Sequence, residues 1–153
     1  MPSDAPAAGR QGPDKLSLIV FSGDFERVHY ALAMASAAAA MNTPVTLFFT
    51  SEGIRALKGP GPGGAPGWHA LPVDAAGKDA RSVDAEFGIK GVATFEEMLS
   101  ASVSFGVTFM VCEMGLRAVG LELADLRDDV TYVQGGIVSY LADASQNGAT
   151  LFV

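Results

Sequence analysis

The chain alternates short, unbroken apolar runs with longer amphipathic stretches. The first run, 16-LSLIVFS-22, has the near-continuous hydrophobicity of a strand buried on both faces of a parallel sheet. It stops at Ser22-Gly23-Asp24, and the spacing predicts a helix from Phe25 to Met41 with Asp24 as its N-cap. That helix is rich in alanine, which favours helix and allows close approach to a sheet; Asn42-Thr43-Pro44 ends it. A second buried strand follows at 45-VTLFFT-50, then a short helix at 52–58. Eight of the nine residues in 59-GPGPGGAPG-67 are Pro or Gly, so 59–82 reads as an excursion without regular structure.

Periodicity returns at 94–106, where Phe95, Met98, Leu99 and Val103 lie at helical spacing behind a Thr94/Glu97 capping box, with Gly106 as the stop. A third strand, 107-VTFMV-111, runs straight into Cys112 and a short helix over 113–119 closed by Gly120. A turn at 122–129, a strand at 130–134, a helix over 136–146 and a final strand at 149–153 complete the pattern. Strands alternating with helices predict a three-layer α/β/α sandwich on a mostly parallel five-stranded sheet. The expected organisation is a flexible tail at 1–14 and one domain over 15–153.

Composition changes this picture in three ways. At 49% hydrophobic and 18% charged, 153 residues carry more apolar surface than one small core needs, which points to burial against other copies of the chain. No run approaches the roughly 20 apolar residues of a membrane span. The net charge of −7, with ten scattered basic residues, argues against a nucleic-acid partner. The N-terminus has no apolar signal core, and a single cysteine excludes an intrachain disulfide, so a reducing, cytoplasmic setting is expected.

Cys112 is the leading candidate for chemistry. It sits where a strand ends and a helix begins, the edge of an open α/β sheet at which sites gather. Unpaired N–H groups and the positive end of a helix favour thiolate there. The amides of Glu113 and Met114 are the candidate donors, although the Glu113 carboxylate works against a negative sulfur. A small buried hydrophobe is the alternative, and position alone leaves both open. Ser22, Gly23 and Asp24 also join a strand to a helix and are candidates for lining a pocket or holding an anion, with capping by Asp24 as the plainer reading. His29 and His69 are weaker candidates for a base, and two histidines without a third ligand make no metal case.

The stretches 16–58 and 95–153 resemble the DsrE/DsrF-like sulfur-relay family, most closely its DsrE2-like branch. The likeness rests on the opening strand, the alanine-rich helix and the second strand ending in two aromatics and Thr. In the second half it rests on Gly-Val before an apolar strand, Cys112-x-Met114, and a Gly before an acidic turn. It does not extend over the glycine-rich middle. The resemblance implies a homo-oligomeric α/β sandwich in which Cys112 accepts sulfane sulfur as a persulfide and passes it on. It also implies rhodanese-like or TusA-like donors and acceptors, and no cofactor. Relatives labelled peroxiredoxin-like bring a second expectation, a thiol peroxidase drawing on Thr108 and Arg117. A third is a non-enzymatic oligomeric binding protein with an inert Cys112.

Overall fold

A computed structural model describes residues 12–153; most of the tail expected at 1–14 lies outside the described residues. Five strands, β1 (Leu16–Val20), β2 (Val45–Phe49), β3 (Thr108–Cys112), β4 (Tyr132–Gly135) and β5 (Ala149–Phe152), form one sheet in the order β4-β3-β2-β1-β5. Every pairing is parallel, as the unbroken apolar runs of β1 and β2 require. The helices are α1 (Phe25–Ala40), α2 (Ala80–Ile89), α3 (Phe95–Ser104), α4 (Glu113–Val119) and α5 (Ile137–Asp143). None is long and apolar enough to cross a membrane.

Alternation along each strand divides the sheet into two unequal faces. Leu18, Leu47 and Phe109 stand in register on one face, and with Val20, Phe49 and Val111 they form the main core. Phe25, Val28, Leu32 and Ala35 of α1, Phe95 and Leu99 of α3 and Leu116 of α4 close that core. The opposite face carries Ile19, Phe48, Met110 and Cys112, and the residue packed onto this cluster from above is Tyr140 of α5. Tyr140 stacks on Phe48 with ring centroids 4.9 Å apart. At the carboxyl end of α5, Asp143 takes hydrogen bonds from Lys15 Nζ (2.8 Å) and Thr46 Oγ1 (2.6 Å). Burial works to raise the Asp143 carboxyl, but these two bonds outweigh it and hold it below the usual aspartate range.

The predicted caps are present. Asp24 accepts from the Arg27 N–H, Thr94 and Glu97 form a capping box, and Gly120 closes α4 at φ 70°. The glycine-rich excursion differs from expectation. It contains a 3₁₀ turn at Gly67–Ala70, and α2 starts within its last residues. Side-chain docking supplies the order that the backbone composition withholds. Trp68 is buried between Phe25 and Phe95, with centroids at 5.5 and 4.8 Å, and its indole N–H donates to Glu96 (2.8 Å). Arg127 then holds Glu96 with two bonds and Asp129 with two more, tying the excursion to α3 and to the entry of β4.

Burial raises the Glu96 carboxyl, and the bonds from Arg127 and Trp68 overcome it, so its pKa falls below the ordinary value. The Arg127 bonds hold Asp129 low as well. Both folded values are depressed. Their stabilisation is therefore complete above the ordinary glutamate value of about 4.3 and is lost as pH falls through the lower folded values. Urea unfolding should accordingly show Arg127→Met strongly destabilised at neutral pH, with the gap to wild type shrinking as pH falls below about 4. Gly53 has its own test. A methyl group there would strike the Val20 carbonyl oxygen, so Gly53→Ala should cost about 2–3 kcal/mol in the same assay.

Candidate functional site

Cys112 ends β3 and caps α4. Its Sγ accepts a hydrogen bond from the Gly115 N–H at 3.3 Å. An N-cap side chain reaches the second or third amide of the helix, and Gly115 is the third. The amides expected to face the sulfur were those of Glu113 and Met114, the first two; the bond is made one residue further on, and both of those side chains lie at the surface. Gly115 has no room for a side chain, since a Cβ would come within 2.8 Å of Thr50 Oγ1 and 2.9 Å of the Ser51 nitrogen. The first turn of α4 is therefore pressed onto the 3₁₀ turn Ser51–Leu57, and Arg55 of that turn bonds the Val119 carbonyl at the far end of α4 (3.4 Å).

The thiol is only 1% exposed. Phe48, Met110 and Tyr140 surround it, and Gly135 of β4 lies opposite it in register. Burial raises the phenol pKa of Tyr140, with Asp143 adding to the effect and Thr150 opposing it, so the phenol is uncharged at neutral pH. The cover over this cluster is thin. Val138 is 80% exposed and Ile137 and Leu141 are also at the surface, so α5 is apolar on its outer side too. Val133, in register with Met110, and Phe152, in register with Ile19, extend the same exposed apolar belt to both edges of the sheet.

Ser22, Gly23 and Asp24 lie elsewhere. They line a cavity of about 390 Å³ at the carboxyl end of β1, together with Glu52, Arg55, Lys58 and the 67–72 segment; Cys112 is not part of its wall. The two groups share the carboxyl edge of the parallel sheet, on β1 and β3, but not one cavity wall. His29 is a core residue, its Nε2 2.9 Å from the Ala93 carbonyl and its ring against Phe25 and Phe87. His69 packs edge-on to Trp68. Neither belongs to the cluster around the thiol. Thr108 opens the strand that Cys112 closes, which puts them roughly 13 Å apart at 3.3 Å per residue, too far to share one peroxide. Among the described residues, no three His, Cys, Asp or Glu side chains gather as a metal site.

A solved structure shares this architecture. The structure of a protein of unknown function, MTH1491 from Methanobacterium thermoautotrophicum, superposes with a TM-score of 0.55 at 16% identity, covering 91% of this chain and 98% of that one. The YchN protein of E. coli matches with a TM-score of 0.49 at 15% identity over the same shares. The uncharacterized protein YrkE of Bacillus subtilis (strain 168) is 26% identical over 156 residues, 91% of this chain and 96% of its own length. The model of the DsrE/DsrF-like family matches residues 15–153, nearly the whole described chain, and the protein belongs to that family.

Proposed function

We propose that the protein is a sulfur-relay component that carries sulfane sulfur on Cys112. The observation that carries this reading is the bond from the Gly115 N–H to Sγ at the carboxyl end of β3, in a chain of the DsrE/DsrF-like family. That bond fixes the Cys112 side chain at the helix cap with Sγ held at the strand end. In the reaction, the Cys112 thiolate attacks the outer sulfur of a donor persulfide. A new S–S bond forms on Cys112, the donor's S–S bond breaks, and the donor leaves as a thiolate with the bonding electron pair. Delivery is the same exchange run onto an acceptor thiol, so no external oxidant enters. Rhodanese-like and TusA-like proteins are donors and acceptors of the right chemistry, and a reducing cytoplasm suits a lone thiol.

Burial of Cys112 sets the condition for this chemistry. The closed cluster shelters a persulfide from stray thiols, and transfer needs α5 to swing off the sheet. Its short length, its single buried anchor at Tyr140 and its polar tether at Asp143 make that opening the least costly route to the sulfur. The exposed belt of Val133, Ile137, Val138, Leu141 and Phe152 is the contact between copies in a homo-oligomer.

The 1% exposure of Cys112 also favours the opposite reading, an inert packing cysteine in a binding protein. Incubation with a persulfide donor separates the two. Sulfur transfer predicts a mass gain of one sulfur atom on the wild type and none on Cys112→Ser; no gain on either leaves the packing reading in place. A thiol reagent should label the native protein slowly and the unfolded protein at once. Asp143→Asn, by loosening α5, should raise the native rate by about tenfold, corresponding to about 1.4 kcal/mol of opening free energy. Val138→Asp together with Leu141→Asp should reduce the particle measured by light scattering to a monomer.

A further inference from the structure

The cavity beside Ser22-Gly23-Asp24 has a charge arrangement that specifies a ligand. Four charged residues line it: Asp24, Glu52, Arg55 and Lys58. Arg55 and Glu52 neutralise each other in a direct ion pair. That leaves one charge of each sign. The Asp24 carboxylate has Oδ1 engaged by the Arg27 N–H, and its Oδ2 makes no hydrogen bond among the described residues. The Lys58 ammonium has neither hydrogen-bond nor ion-pair partner among the described residues. The two line one cavity without pairing to each other.

The walls are held in place. The turn carrying Glu52 is pinned where Gly53 meets the Val20 carbonyl oxygen with no room for a methyl group, and Ser51 takes a left-handed φ of 51° to enter it. The Lys58 wall is pinned to the 67–72 segment, since a Cβ on Gly67 would lie 2.5 Å from the Lys58 Cβ and its N–H donates to the Lys58 carbonyl (3.1 Å). Leu71 and Pro72 add an apolar side, and the Pro72 carbonyl accepts from Phe25 at the start of α1. A cavity of about 390 Å³ at the carboxyl end of a parallel strand, with few polar groups on apolar walls, has the form of a small-molecule site.

We propose that this cavity binds a small zwitterion of the α-amino-acid class bearing a short apolar tail, its carboxylate on Lys58, its ammonium on Asp24 and its tail against Leu71 and Pro72. A simple anion would satisfy Lys58 and leave Asp24 facing like charge; a simple cation would do the reverse. The site stands apart from Cys112 and does not depend on sulfur transfer.

The test uses ligands without a thiol, so that Cys112 takes no part. S-methyl-L-cysteine is titrated into the full-length ¹⁵N-labelled protein, in parallel with 3-(methylthio)propanoate, which lacks the ammonium, and 2-(methylthio)ethylamine, which lacks the carboxylate. Saturable shifts at Gly23, Lys58 and Gly67 are expected for the zwitterion, with each half-ligand at least about tenfold weaker, a difference of about 1.4 kcal/mol. Lys58→Met and Asp24→Asn should each weaken the zwitterion by a similar factor; Asn preserves the helix cap. Absence of saturable binding by S-methyl-L-cysteine overturns the proposal. So does equal binding of the propanoate, which marks a plain anion site, or unchanged affinity in both variants.

Discussion

A fully parallel sheet has two apolar faces, and both must be taken out of water. That constraint organises this protein, because the two faces are covered so unequally. One lies under α1, α3 and α4 with the docked 3₁₀ turns added. The other has the seven residues of α5, fixed by Tyr140 on Phe48 and by the Asp143 bonds to Lys15 and Thr46. The burial of Cys112, the apolar outer side of α5 and the bare edges at Val133 and Phe152 follow from that imbalance. The exposed apolar residues on the outer side of α5 are the basis for proposing that a second copy of the chain completes this face.

Much of the architecture was legible because it is written in local patterns. Continuous apolar runs marked parallel strands, and Asp24, Thr94 with Glu97, and Gly120 marked helix ends within a residue or two. The middle of the chain was not legible, since its order comes from long-range contacts. Trp68 lies 28 residues from the Glu96 it bonds, and Arg127 a further 31 beyond that. Pro and Gly report only what the backbone will not do; they say nothing of a buried indole that holds the loop in place. Helix α2 was masked for the same reason, as it begins inside the region that composition had marked as irregular.

The candidate site was legible as a position and no finer. The strand–helix junction pointed to Cys112, and the structure places that residue at the cap of α4 with its bond from the third amide, Gly115, in place of the first two. Gly115 carried a signal that could have been read: a glycine three positions after a cap leaves the closest approach to a neighbouring turn. Which sheet face the sulfur occupies depends on strand register, and so does its distance from Ser22, Gly23 and Asp24. Periodicity fixes neither across so long an excursion. The peroxide arrangement failed on elementary strand geometry, since Thr108 and Cys112 stand at opposite ends of β3.

If the thiol is reached by opening α5, that helix must come away at a free energy well below that of global unfolding. Native-state hydrogen exchange measures this directly. The account predicts that the amides of Tyr140 and Ala144, bonded to Gly136 and Tyr140, exchange through a local opening while those of β3 exchange only with the whole molecule. Amides of α5 as protected as those of β3 would contradict it, and Cys112 would then be a sealed part of the core.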